Sequence, residues 1–205
     1  MQVGQRQPDH HGNRRRLRFL REGLEVVRRR GFTTAGVREI TSAAGVPQGS
    51  FTNHFASKEA FGLEIIDRYF ADAWSVVEAT LEDPGRPPLD RLRAYFEAIT
   101  ERLEDRGWQH GCLIGNMSLE APEHSEAIRT RLAGIFARWR QPFARCLEEA
   151  DAAGQIRLDV PAIDMADFLL ASWQGAILRM KVDRSPEPLH RFRQITFATV
   201  LTPCA

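Results

Sequence analysis

Residues 36–61, GVREITSAAGVPQGSFTNHFASKEAF, decide the fold of this chain. They read as a short helix, a glycine turn, a second short helix and the capped start of a third. Two short helices crossing around a tight turn form a helix-turn-helix, the module that lays one helix in the major groove of DNA. Gly45 gives the turn its backbone freedom. Ile40, Ala44, Val46 and Phe51 supply a small core, and Ala43 and Ala44 let the helices approach closely. Pro47 stands at or just before the second helix, where its missing N–H does no harm. Gly49 keeps bulk off the outer surface, which leaves Gln48, Ser50, Thr52 and Asn53 to face bases and phosphates. Gln and Asn can each bond adenine through two contacts, and Ser is tolerant. Ser57 is the expected N-cap of the next helix, with Glu59 suited to its positive end.

Outward from this stretch helical periodicity continues, and no segment alternates convincingly like a strand. A first helix is expected over residues 14–30, where Leu17, Leu20, Leu24 and Val27 make one apolar stripe and Gly31 closes the end. The second begins near Val37 and the third near Gln48. Longer helices follow over 57–81, 89–105, 113–120, 124–152 (bent at Pro142), 162–182 and 187–201. The expectation is an all-α fold of about nine helices. It has a disordered lead-in over 1–13, a three-helix domain over 14–58 and a larger helical body over 59–205.

The chain of 205 residues is long enough to bury a substantial core, and its 43% hydrophobic and 27% charged residues are those of a globular protein. No run of some 18 apolar residues predicts a membrane span, and the first residues lack the apolar stretch of a secretory signal. A cytoplasmic protein is expected. The net charge of +1 hides an asymmetry: residues 1–61 carry eleven Lys and Arg against five Asp and Glu, and the remainder 17 against 22. A basic end beside an acidic body suits a module that faces phosphate joined to one that does not. Cys112, Cys146 and Cys204 are far apart and odd in number, which argues against a disulfide framework or a zinc site. No metal or cofactor site is expected.

The string AAGVPQGSFTNHFASKEAF at 43–61 resembles the signature of the TetR family of bacterial transcriptional repressors. The match runs in register over 40–59, and the length and all-helical layout agree with it. There are departures: Thr52 stands where the family usually has a phosphate-touching Tyr, Thr41 where it has Ala, and Ala35 where it has a capping Thr, so Thr34 is expected to cap instead. The resemblance implies base or phosphate contacts for Gln48, Ser50, Asn53, His54 and Lys58, and a shorter-reaching one for Thr52; Arg38 joins them on its charge alone. It also implies a homodimer that reads a palindromic operator in double-stranded DNA. The last two helices would form the interface, from material including Phe168, Leu169, Trp173, Ile177, Phe192, Ile195 and Phe197. A small-molecule effector would bind in the body, with Trp74, Trp108, Met117, Phe143 and Trp173 as candidate lining; aromatic residues on helices also serve as plain core.

Cys112 lies between Gly111 and the start of a helix, just after Trp108 and His110. A thiol at a helix N-terminus or beside a cation becomes nucleophilic, whereas a lone cysteine elsewhere is a small buried hydrophobe. GCLIGNMSLE at 111–120 and SWQGAILRMKVDRSPEPL at 172–189 resemble a TetR subgroup that includes the N-ethylmaleimide-responsive and acrylate-responsive repressors. That resemblance makes Cys112 a sensor of electrophiles or oxidants and Lys181 its ammonium partner. Two other readings stand beside the effector-controlled repressor. One is a thiol-dependent enzyme with Cys112 as nucleophile and His110 or Lys181 as base, although no orienting acid is evident. The other is a constitutive DNA-binding protein without a ligand, for which the large body has no use. The expected answer is a regulator and not an enzyme.

Overall fold

The computed structural model describes residues 10–201, and their side chains from residue 14. Among the described residues there are eight α-helices and no strand: α1 (His10–Arg30), α2 (Val37–Ala43), α3 (Lys58–Thr80), α4 (Pro88–Glu104), α5 (Leu113–Glu120), α6 (Glu126–Ala152), α7 (Ala162–Asp183) and α8 (Glu187–Ile195). The fold class is the expected one. Helix α1 begins at His10, so the expected lead-in over 1–13 is shorter at its inner end, and residues 1–9 lie outside the described residues. Gly31 closes α1 at φ +82°. Ser57 caps α3 by accepting from the Ala60 N–H at 3.0 Å, and Ser125 caps α6 by accepting from Ile128 N–H at 3.1 Å. Thr34 does not cap α2; its N-cap is Gly36, without a side-chain bond. Helix α6 runs unbroken through the buried Pro142.

The count of nine is corrected at one place. The expected third helix is a single 3-10 turn, Gln48–Ser50, followed by further turns to His54. Its bonds are mostly of the tight kind, Ser50 N–H to Pro47 O at 3.0 Å, Phe51 N–H to Gln48 O at 3.1 Å and His54 N–H to Phe51 O at 2.9 Å. The local sequence explains this. Gly49, Ser50, Thr52 and Asn53 are weak helix formers, and the Ser50 and Thr52 hydroxyls donate back to Pro47 O and Gly49 O.

The head is held by aromatic rings. Phe19 of α1 meets Phe51 and Phe55 edge-on, each at 5.9 Å between centroids, and Phe61 of α3 lies 5.1 Å from Phe55. Helix α3 is therefore shared: its first turn packs in the head, while Phe70 and Val77 pack in the body. In the body α6 lies between α4 and α7, and Tyr95, Phe96, Phe143 and Trp173 form its centre.

The apolar residues of the last two helices divide cleanly. Leu169, Trp173 and Ile177 face the protomer interior, and Phe192 packs on Trp173 at 5.1 Å. Phe197, half-buried, lies under the Arg93 guanidinium. Phe168 is 52% exposed and Ile195 51%, and Leu178 and Val182 of α7 are exposed beside them.

Gly23 of α1 marks the tightest crossing in the head. A Cβ there would press into the Phe61 ring and lie 3.1 Å from Ile40 Cγ2, and both residues are fully buried. Gly23→Ala is expected to cost about 1–3 kcal/mol through overpacking, read as a lowered midpoint in thermal unfolding.

Candidate functional site

The reading edge of the head is built by the turn. Gly45 takes φ +63°, which swings the chain from α2 into the 3-10 turn. Gln48, Thr52 and Asn53 are exposed and Ser50 is half-buried. Arg38, exposed on α2, donates from Nε to Gln48 Oε1 at 3.0 Å, so a cation and an amide stand joined on the same surface. Nothing within 4 Å would meet a Cβ on Gly49, so the protein itself does not require a glycine there. His54 is half-buried and lies 5.4 Å from the Phe19 ring, which makes it partly a cover for the aromatic core.

Lys58 is placed away from that edge. Its ammonium donates to the Thr33 carbonyl at 2.9 Å and lies 5.0 Å from the Phe32 ring centre. Burial lowers its pKa, and the Glu120 carboxylate works the other way. Glu120, the last residue of α5, accepts from the Thr33 N–H at 3.1 Å. Ser125 donates to Glu59 at 2.6 Å beside it. Lys58 thus belongs, in this conformation, to the junction between head and body.

The second site lies between α5 and α7. The loop ahead of α5 holds Trp108 at φ +59°, His110 at φ +20° and Gly111 at φ +64°. Left-handed backbone at non-glycine residues is costly and persists only where the surroundings enforce it. The loop delivers Cys112, 6% exposed, to the N-cap of α5. A cavity of about 180 Å³ opens there, and Cys112 and Lys181 both line it, with Asn116, Gln174, Ile177 and Leu178. Gln174 Nε2 donates toward Cys112 Sγ at 3.6 Å. Asn116 donates to the His110 carbonyl at 2.7 Å and accepts from the Lys181 ammonium at 3.3 Å. Burial, ahead of the surrounding charges, lowers the His110 pKa, so its imidazole is neutral near pH 7. The cavity therefore offers a thiol, one ammonium and two amides on apolar walls.

Asn116 and Gln174 were not singled out in the sequence. Asn116 is one turn after Cys112 and Gln174 is two turns before Lys181, a signal that has meaning only once α5 and α7 are known to face each other. Gly115 makes the approach possible, since a Cβ there would lie 2.7 Å from Gln174 Oε1.

None of the five candidate lining aromatics borders this cavity. Met117, Phe143 and Trp173 are packed in the core. Trp74 is half-buried under the Arg138 guanidinium, 4.1 Å from its ring centre, and Trp108 is half-buried in the strained loop. Among the described residues no cluster of three metal-ligating side chains exists, and no helix is long and apolar enough to cross a membrane.

Comparison with known proteins agrees with both sites. Residues 19–65 match the family described as "Bacterial regulatory proteins, tetR family", and residues 88–196 match "Tetracyclin repressor-like, C-terminal domain". The chain is 46% identical to the HTH-type transcriptional repressor DhaR of Mycobacterium sp. (strain GP1), over 91% of this chain and 92% of that protein. It is 35% identical to the transcriptional regulator AcuR of Cereibacter sphaeroides, over 85% of this chain and 80% of that one. The crystal structure of reduced Escherichia coli NemR superposes with a TM-score of 0.81 at 27% identity, covering 93% of this chain and all 100% of that one.

The two described thiols should differ in reactivity. Cys146 is fully buried, donates to Leu81 O at 3.2 Å, and burial pushes its pKa up to about 11. Native protein treated briefly with a maleimide at pH 7 should carry its adduct on Cys112 and leave Cys146 free, as peptide mass spectrometry would read.

Proposed function

The chain belongs to the tetR family of bacterial regulatory proteins, a DNA-binding transcriptional repressor, and from that premise we propose that it grips a palindromic operator as a homodimer and releases it when a small molecule engages its body. The observation that carries the reading is the exposed polar edge from Gln48 to Asn53, with Arg38 already bonded to Gln48. Gln48 and Asn53 read base edges, Ser50 and Thr52 supply hydroxyl contacts, and Arg38 meets phosphate. His54 borders the edge and steadies it. Lys58 reaches phosphate only by leaving the Thr33 carbonyl, so its contact belongs to the bound state.

One such head reads few bases; two related by a twofold axis read both halves of a palindrome. The dimer face is the outer side of α7 and α8, where Phe168, Leu178, Val182 and Ile195 lie exposed on adjacent helices. The protein works in the cytoplasm, where its DNA is.

The effector is an electrophile or oxidant sensed by Cys112. With an unsaturated carbonyl compound the sulfur bonds the β-carbon, the double-bond pair moves toward the carbonyl oxygen, and the thiol proton ends on the α-carbon. Nothing leaves, so the product is a stable adduct. Gln174 donates to the sulfur before attack, and Lys181 balances charge across the cavity. The adduct enlarges the contents of a cavity between α5 and α7, and α5 ends on the head through Glu120. A body shape that accommodates it changes the spacing of the two heads.

Fluorescence anisotropy on DNA flanking the gene tests the first half. Binding should weaken on the order of a thousandfold from 50 to 200 mM salt. Asn53→Ala should lose about 1–3 kcal/mol at the cognate site and much less on random DNA. Binding that ignores both salt and sequence would sink the reading. For the second half, N-ethylmaleimide should weaken operator binding by wild type and leave Cys112→Ser unaffected; catalytic turnover of the reagent would instead make this an enzyme.

A further inference from the structure

Two buried donors in the centre of the body have no partner. Tyr95 Oη and Trp139 Nε1 are both inaccessible, and neither makes a hydrogen bond among the described residues. The residues are 0% and 4% exposed. Leaving such a group unsatisfied in a protein interior is costly, so each one calls for an explanation. These two also belong together. Tyr95 is on α4 and Trp139 on α6, which pack on each other, and the indole N–H is close enough to lower the phenol pKa without a bond of normal geometry. Burial, then the neighbouring Cys112, raise that pKa well above its usual value, so the phenol keeps its proton. The surroundings are apolar rings: Phe143 at 4.9 Å from Tyr95, Phe96 at 5.6 Å, and Phe70 at 5.7 Å from Trp139.

We propose that Tyr95 and Trp139 form an anchor for the effector, in which the phenol O–H and the indole N–H donate together to one neutral carbonyl oxygen. This deepens the effector reading and rests on it. An indole nitrogen can only donate, and a phenol that keeps its proton can donate as well, so their shared complement is an acceptor. Both donors are uncharged, and a carboxylate brought among these rings would give up its hydration without a countercharge. An amide, imide, ester or ketone gives up far less. Cys112 is near enough to raise the Tyr95 pKa, so a carbonyl compound anchored here lies beside the thiol. Occupancy requires Phe96 and Phe143 to part, which makes binding depend on a change of body shape.

The test uses N-ethylsuccinimide, a cyclic imide that lacks the double bond and cannot alkylate, with the full-length protein. Tyr95→Phe removes one oxygen and keeps the ring. Titration calorimetry on wild type should show binding, and Tyr95→Phe should weaken it about tenfold. Trp139→Phe should weaken it similarly, provided its thermal midpoint shows it is folded. Propionate should bind neither protein; a Tyr95-dependent propionate site would overturn the neutral-carbonyl assignment. Without ligand, Tyr95→Phe should unfold at the wild-type temperature or higher, because it deletes an unpartnered hydroxyl. A drop of more than about 3 °C would mean that an interior water already satisfies the pair, and would overturn the anchor. Binding to wild type that is unchanged in both variants overturns the anchor and leaves the effector reading standing. If neither N-ethylsuccinimide nor N-ethylmaleimide engages wild type or releases the operator, the effector reading falls and the anchor falls with it.

Discussion

The geometry of the whole molecule depends on α5 being held at both ends. At its start Cys112 receives the Gln174 amide, and Asn116 links the His110 carbonyl to the Lys181 ammonium, which fixes the helix against α7. At its far end Glu120 takes the Thr33 N–H of the head and attracts Lys58. The helix has eight residues, about 12 Å of rise, so it is too short to bend away a displacement of either end. Whatever pushes Cys112 away from α7 moves the residue that holds the α1–α2 connection. The small residues at its base make the close approach possible, because Gly111 and Gly115 leave room for Ile177, Lys181 and Gln174.

Much of this was legible in the sequence, and the reason differs from part to part. The helix-turn-helix could be read because each step is local: the glycine at the turn, the proline ahead of the second element, and the serine cap of α3 all act on their own neighbours. Element boundaries agreed within a few residues wherever a cap or a Pro-Gly break stood, as at Ser57, Pro88 and Gly154. The third element was read as a helix because its apolar spacing is helical. Its weak formers and back-bonding hydroxyls cut it to a single 3-10 turn, a competition that spacing does not reveal.

The sites were legible in part. Cys112 and Lys181 do line one cavity, but their link runs through Asn116, on a helix face that the sequence cannot assign to a partner. Lys58 was grouped with the reading residues by its place in the motif, and the junction claims it through contacts to Thr33 and Glu120, 25 residues before it and 62 after it. The aromatic residues were the hardest to place. Met117, Phe143 and Trp173 look like pocket lining by type, yet they are core, and the same ambiguity hid Tyr95 and Trp139 among a dozen helical apolar positions. A polar atom on an aromatic ring is invisible to periodicity; its consequence appears only when the ring is buried and the atom is counted.

That consequence bears on how a repressor of this architecture could be poised between two shapes. A body filled entirely with satisfied, close-packed groups has one preferred arrangement and resists change. Two unpartnered donors raise the free energy of the closed arrangement by an amount on the order of 1–3 kcal/mol each. A ligand that satisfies both regains that free energy only in the arrangement that admits it. Differential binding of this kind is what a ligand must supply to shift a two-state equilibrium, and tight binding to both states alike would shift nothing. The junction at Glu120 then needs no ligand contact of its own, because it reports the position of α5, and α5 follows the body.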